Sequence, residues 1–260
     1  MPSSSRSPNT SSESPASRLA ADDSPAVSLP EIPGGWSTTD VSVGTRKFQL
    51  QIPASPDAFL DDPLVQQANA ESDYMPYWAY LWPASRDMAA LVVDEQWPDG
   101  TEALELGSGI GLVGIAALAA GLRVTFSDYD ATSLSVATHN AELNGVKAAA
   151  AALLDWRNPE ASTLERFPVI LGCDVLYEVP LHGHLLNVLD RLLADNGVCW
   201  LGDPGRAALG PFCDLASSRG YSVKLRNASG LPLADDASNE GAFRLAVVHR
   251  HESHERPATK

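Results

Sequence analysis

Residues 103–114 read Ala103-Leu104-Glu105-Leu106-Gly107-Ser108-Gly109-Ile110-Gly111-Leu112-Val113-Gly114, and this stretch decides the fold. A short apolar run enters three glycines at alternate positions and leaves directly into a second apolar run. The first, Glu102–Leu106, has strand length; the second, Gly111–Ala120, has the length and spacing of a helix. Glycines between them let the chain turn sharply and leave backbone exposed where any Cβ would collide with a ligand.

Outward from that turn the same alternation repeats. Strands are expected at Arg123–Ser127, Ala149–Leu153, Val169–Cys173 and Val198–Gly202. Helices are expected at Ala131–Asn144, near Pro159–Glu165, at Leu181–Leu193 and at Pro211–Arg219. Ser222–Arg226 and Arg244–His249 read as a closing strand pair around a polar loop. Such strand–helix units imply a doubly wound α/β fold with a mostly parallel, seven-stranded sheet covered on both faces. Upstream, Val41–Val43 and Phe48–Ile52 flank the turn-like Gly44-Thr45 as a hairpin, and Asp57–Ala70 and Pro83–Glu95 have helical spacing. The domain reading is a Ser/Pro-rich disordered tail over 1–34 and a hairpin-and-helix extension over 35–73. The main domain follows over 74–250, with a flexible tail over 251–260.

In open α/β sheets, ligands bind beyond the carboxyl ends of the strands where strand order reverses, so the strand tips are where chemistry is expected. A dinucleotide fingerprint requires G-x-G-x-x-G. Here the third glycine comes one place early, at Gly111, and Leu112 stands where the fingerprint needs glycine. Glu105, two places before Gly107, would repel a pyrophosphate and attract the ammonium end of S-adenosylmethionine. Asp128, at the tip of the second strand, is positioned to accept from ribose hydroxyls; Asp130 reads as an N-cap of the next helix. At the third tip Asp155 can take an adenine amino group, with Trp156 either lining the ring pocket or filling core. Asp174 and Tyr177, three apart past the fourth tip, can point into one crevice, and an acid there needs a partner.

Composition narrows the function classes. The 260 residues are 44% hydrophobic, enough for one sizeable core, and carry a formal net charge of -15 from 33 acidic and 18 basic side chains. That surface repels a phosphate backbone and suits a neutral or cationic acceptor. Cys173, Cys199 and Cys213 form neither a disulfide framework nor a metal site, which fits a reducing cytoplasm. No run approaches the ~18 apolar residues that span a bilayer, and the first residues lack the pattern of a signal peptide.

Taken together, the four strand tips resemble those of the class I, seven-strand methyltransferases that use S-adenosylmethionine on a Rossmann-like sheet. More narrowly, the chain resembles the protein lysine methyltransferases with an Asp-x-x-Tyr motif after strand four. Glu105 to Gly111, Ser108 included, matches the cofactor loop; Leu154-Asp155-Trp156 matches the adenine pocket. Asp174-Val175-Leu176-Tyr177 matches the Asp-x-x-Tyr motif. Tyr77-Trp78-Ala79-Tyr80-Leu81-Trp82-Pro83 is similar to the segment that sets a tryptophan, here Trp82, against the cofactor. Leu201-Gly202-Asp203-Pro204-Gly205-Arg206 is similar to the branch that methylates the electron-transfer flavoprotein β-subunit. The Ser/Pro-rich tail and the Glu178–Pro180 segment depart from the family pattern.

The resemblance implies a monomeric enzyme that methylates lysine on a protein without a metal. Asp174 would orient the amine or the donor, and Tyr177 with Tyr77 or Trp78 would wall the channel. Arg206 either pairs with Asp203 in a tight loop or belongs to an acceptor-recognition loop. His139 and Asn140 read as structural. A small-molecule N- or O-methyltransferase on the same fold remains the main alternative. Behind it stand a nicotinamide-dependent oxidoreductase and a non-catalytic module that binds S-adenosylmethionine.

Overall fold

A computed structural model describes residues 29–72, 75–233 and 241–251 of the chain. Most of the N-terminal tail and nearly all of the C-terminal tail named above lie outside those residues, as does part of the polar loop before the last strand. Among the described residues, no helix is long and apolar enough to cross a membrane.

The chain opens with β1 (Trp36–Val43) and β2 (Arg46–Pro53), an antiparallel hairpin whose Val43 pairs with Arg46 across the Gly44-Thr45 turn. Two short helices follow, α1 (Pro56–Leu60) and α2 (Pro63–Ser72), where sequence spacing predicts one helix. Pro63 cannot continue α1, and the Leu64 N–H is taken by Asp62 Oδ1 at 2.9 Å, so the chain breaks there. A single 3-10 turn, Tyr77–Ala79, leads into α3 (Ala84–Asp94).

The main sheet alternates as expected: β3 (Glu102–Leu106), α4 (Leu112–Ala119), β4 (Arg123–Asp128), α5 (Ala131–Leu143), β5 (Ala150–Leu153), then β6 (Phe167–Cys173). It continues through α6 (His182–Leu192), β7 (Leu193–Asp203), α7 (Leu209–Ser218), β8 (Tyr221–Asn227) and β9 (Arg244–Arg250). The helix expected near Pro159–Glu165 is only a 3-10 turn, Pro159–Ala161. Ser162 Oγ accepts the Leu164 N–H at 3.2 Å there, a local bond that competes with helix continuation.

Strand order across the seven-stranded sheet is β5-β4-β3-β6-β7-β9-β8. All pairs are parallel except those that β9 makes with β7 and with β8. Order reverses between β3 and β6, so the crevice opens at the carboxyl ends of those two strands. Two core layers follow from the strands' period of two. Ala103, Val169, Leu171 and Val247 face α3, α4 and α5, whereas Leu104, Leu106, Ile170 and Val248 face α6 and α7. Buried on both faces, these strands are mostly apolar, with Glu105 of β3 a buried exception.

The hairpin is part of the first layer: Val41, Val43, Phe48 and Leu50 share a core with Ile115 and Ala137. Fully buried Asn140 on α5 fixes it there. Its Nδ2 donates to Gln51 O and Ile110 O, both at 3.0 Å, and its Oδ1 accepts from Gln51 N at 2.7 Å. Asn144, one turn on, exchanges two bonds with the Gln49 backbone. The structural reading of Asn140 is thereby borne out.

Candidate functional site

The floor of the crevice is the turn between β3 and α4. Gly107, Gly109 and Gly111 all adopt left-handed backbone, with φ of 62°, 52° and 90°, which L-residues with side chains enter at a cost of about 1–2 kcal/mol each. A Cβ on Gly111 would stand 2.8 Å from Ala137 Cβ, so α5 also demands glycine. At Gly109 the nearest heavy atom would be Trp78 Cα at 3.8 Å, leaving the loop's outer surface open. Ser108 anchors the loop to the neighbouring strand: its N–H donates to Ser127 O at 3.0 Å, and its Oγ accepts from Ser127 N at 3.0 Å.

Glu105 lies beneath this loop. Its Oε1 accepts from Gly114 N at 3.0 Å while Oε2, also buried, has no partner among the described residues. Burial pushes its carboxyl up to about 8, so the group is largely protonated at neutral pH. The expectation from sequence gave Glu105 a charge aimed at the ligand. The observed carboxyl instead caps the first turn of α4 from inside, occupying a donor that a pyrophosphate would need.

Asp128 ends β4 almost fully buried. Its Oδ2 accepts from Gly109 N at 3.1 Å and Ser133 Oγ at 2.7 Å, and its Oδ1 from Asp130 N at 3.1 Å. Burial raises its pKa, and those bonds work the other way. Asp128 therefore braces the glycine loop as well as standing at the β4 tip. Asp130 caps α5, accepting from Thr132 N at 2.7 Å, as its position predicts. Its second oxygen takes the Trp78 ring N–H at 2.8 Å, a bond the sequence did not announce. Trp78 is buried against Trp36 and Phe59, which leaves Tyr77, and not Trp78, at the channel wall.

Beyond β5, Asp155 is exposed and held by Arg157 in a two-oxygen ion pair, at 2.9 and 3.1 Å from Nε and 2.9 Å from Nη2. The Arg157 guanidinium lowers its pKa. Trp156 is half-buried, and its ring comes within 3.5 Å of where a Gly107 Cβ would be. The indole thus stands beside the glycine loop at the crevice. An open cleft of about 520 Å³ behind it, between Arg157, Arg166, Asn187 and Arg191, is lined by none of the candidate residues.

Across the switch point, the backbone of Asp174 is left-handed, φ 58°, the one positive φ off glycine among the described residues. Its N–H donates to Gly202 O at 2.8 Å, and its Oδ1 accepts from Arg206 Nη2 at 2.6 Å and Nε at 3.0 Å. Of the two sequence readings for Arg206, pairing with Asp203 is not what forms. Asp203 Oδ1 instead accepts two backbone N–H groups, Gly205 and Arg206, both at 2.7 Å, which curls the loop back toward Asp174. Gly205, φ 89°, permits that curl, because a Cβ there would sit 2.4 Å from Ala242 O.

Aromatic rings frame the opening. Tyr77 and Tyr177 meet edge to face at 5.7 Å, and Tyr77 meets Trp82 at 6.5 Å. The Arg206 guanidinium lies 6.0 Å over the Trp82 ring. Tyr80, not singled out in the sequence, packs 5.4 Å from Trp82 and donates its hydroxyl to Asp57. Its place in the aromatic-rich run 77–83 was the available signal. Burial pushes the Tyr177 hydroxyl up to about 12, so it stays neutral.

These residues fit a cationic, phosphate-free nucleoside. The glycine loop offers open backbone, Asp128 and Asp155 stand at neighbouring strand tips, and Trp156 supplies an apolar wall. Chemically, a carboxylate next to aromatic faces can receive a cation and orient an amine.

The lysine methyltransferase family model matches residues 78–206. A histidine protein methyltransferase 1 homolog of Dictyostelium discoideum is 33% identical over 129 residues, covering 46% of this chain and 41% of that protein. The human electron transfer flavoprotein beta subunit lysine methyltransferase is 32% identical over 136 residues, covering 50% of each chain. The chain thus matches about half the length, or less, of these relatives. A 16S rRNA methyltransferase of T. thermophilus, solved with AdoMet and guanosine, superposes with a TM-score of 0.55 at 15% identity. That match covers 86% of this chain and 52% of the other, and it concerns the fold. In its strand tips, its sheet order and this family match over residues 78–206, the chain is similar to the lysine methyltransferase family of class I S-adenosylmethionine-dependent methyltransferases.

Proposed function

We propose that the protein transfers a methyl group from S-adenosylmethionine to the side-chain amine of lysine in a protein acceptor. The observation that carries this reading is the aromatic cluster of Tyr77, Trp82 and Tyr177 beside the Asp174–Arg206 pair, which Trp82 reaches through the Arg206 guanidinium. Supporting it are the family match and two relatives whose names specify protein side-chain nitrogens as acceptors, lysine in one and histidine in the other. S-adenosylmethionine, when bound, supplies a methyl group activated by its sulfonium charge.

The chain's residues divide the remaining work. Backbone at Gly107, Ser108, Gly109 and Gly111, with Asp128, Asp155 and Trp156, would hold the nucleoside. Trp82 and Asp174 bound the side on which the methionine portion would lie. Lysine begins near pKa 10.4 and must shed its proton before it can attack. Aromatic walls that exclude water favour the neutral amine, and Asp174 fixes its direction. Holding nucleophile and methyl at near-attack distance contributes up to about 7–11 kcal/mol in well-oriented cases. Tyr77 and Tyr177 are 40% and 37% exposed, so the mouth is open to a side chain presented by a large partner.

The three free cysteines support a reducing, cytoplasmic setting as part of the same reading. The test is to incubate the protein with methyl-labelled S-adenosylmethionine and extract from the source cell, with Asp174→Ala as control. Label confined to a few protein bands, and absent with the variant, is the expected result. Label only among small molecules would overturn the protein-acceptor reading.

A further inference from the structure

The acidic mouth holds its own cation. Asp174 Oδ1 is fully engaged by two N–H groups of Arg206, whereas Oδ2 accepts no hydrogen bond among the described residues. The carboxylate side chain is 5% exposed, and the arginine side chain is 38% exposed. The guanidinium lies over the Trp82 face, and the Arg206 backbone N–H is held by Asp203 Oδ1. One oxygen is therefore occupied and oriented, the other is left for a ligand, and the carboxylate's charge is already offset.

We propose that Arg206 is a positioning residue that keeps the acceptor amine in its neutral, nucleophilic form. That role presupposes lysine as the acceptor, as proposed above. An unpaired Asp174 would bind lysine as ammonium and hold its proton on, which stabilises the unreactive state. With Arg206 fixed on Oδ1, a second cation beside the carboxylate meets a like charge, and the neutral amine is favoured. Oδ2 then needs only to accept a hydrogen bond from the amine's N–H, aiming the nitrogen lone pair. Arg206 thus weakens ground-state capture of the ammonium and raises reactivity, the division expected when binding energy is not spent on the wrong protonation state.

Other groups facing the mouth are Asp128 from β4, Glu178 beside Tyr177, Asp203 and Cys173 at the ends of β7 and β6, and Tyr77. Burial raises the pKa of Asp128 and Asp203 and of the Cys173 thiol. Tyr177 remains neutral below about 12. Among these groups, Arg206 is the cation in contact with Asp174.

The test is the pH–rate profile of transfer from methyl-labelled S-adenosylmethionine to the extract protein that wild type labels. Wild type, Arg206→Gln and Arg206→Lys are compared, with donor affinity measured by calorimetry. Arg206→Gln is expected to move the rising limb up by about one pH unit, near tenfold slower at pH 7. It should recover at high pH, with KM unchanged or lower and donor affinity kept. Arg206→Lys, which keeps the charge, should stay close to wild type. Equal loss for Arg206→Gln at every pH, or a lysine variant no better than the glutamine one, would overturn the proposal. If wild type labels no protein, the function reading itself fails and this inference falls with it, an outcome visible before any variant is made.

Discussion

Asp174 Oδ1 receives both the Nη2–H and the Nε–H of Arg206, at 2.6 and 3.0 Å, although 32 residues separate them. Sheet register brings them together: β6 and β7 are parallel neighbours, with Cys173 opposite Gly202. Asp174 and Asp203 thus leave the sheet side by side, and the Asp203 turn folds Arg206 back over its neighbour. The left-handed backbone at Asp174 is the local cost of aiming that carboxylate into the crevice.

Asp174→Asn separates charge from backbone. Asparagine tolerates the left-handed region, and the lost partner, Arg206, can reach solvent. Stability measured by urea titration should fall by about 1–3 kcal/mol, because the buried carboxylate's two bonds from Arg206 are weakened. Methyl transfer should fall by about 100-fold or more, because the amine loses its orienting carboxylate. A variant with wild-type turnover would remove Asp174 from the mechanism.

Gly109 and Gly111 should respond differently to alanine. Gly111→Ala drives a Cβ to 2.8 Å from Ala137 Cβ at φ 90°, and unfolding free energy should drop by about 2–4 kcal/mol. Gly109→Ala has room on the protein side and should cost only about 1–2 kcal/mol of backbone strain. Its methyl group would stand in the cradle, so calorimetry should show donor affinity at least tenfold weaker. Unchanged affinity for Gly109→Ala would place the cofactor elsewhere.

Glu105 gives a pH signature. Its pKa in the folded chain, about 8, lies above the ordinary 4.5, so the native state binds that proton more tightly than the unfolded chain does. The stabilisation is whole below the ordinary value and is lost as pH rises through about 8. Glu105→Gln keeps an acceptor for Gly114 N and never ionises. Relative to wild type it should gain about 2–4 kcal/mol between pH 5 and 8.5, read from denaturant midpoints. A constant difference across that range would contradict the buried-acid assignment.

Much of this was legible in the sequence, for identifiable reasons. The β3 strand, the glycine turn and α4 follow from an apolar run, three glycines and a second apolar run; Asp130 announces its cap by preceding a periodic segment. Relationships between distant side chains were not legible. Arg206 pairs with Asp174 and not with nearby Asp203 because register, unseen in one dimension, sets β6 beside β7. The bond from Trp78 to Asp130 crosses 52 residues, and Asn140 reaches a hairpin 89 residues earlier. Near Ser162 and Asp62, local side-chain bonds overrode helical spacing.

Asn140→Ala tests the hairpin's attachment. One buried and two part-buried backbone groups would lose their partner, and stability should fall by about 2–3 kcal/mol. Asn140 touches none of the aromatic residues of the mouth but holds Ile110 O in the glycine loop, so donor affinity read by calorimetry should weaken while turnover at saturating donor stays within about twofold. A large loss of turnover at full folding would mean the hairpin shapes the site.

Whether the acceptor atom is a lysine amine is decided by identifying the modified amino acid. A protein labelled with the methyl-labelled donor would be hydrolysed to free amino acids and the label resolved chromatographically. Label should appear in methylated lysine and be absent with Asp174→Ala. Label in methylhistidine or methylarginine, or in no amino acid at all, would contradict a lysine acceptor.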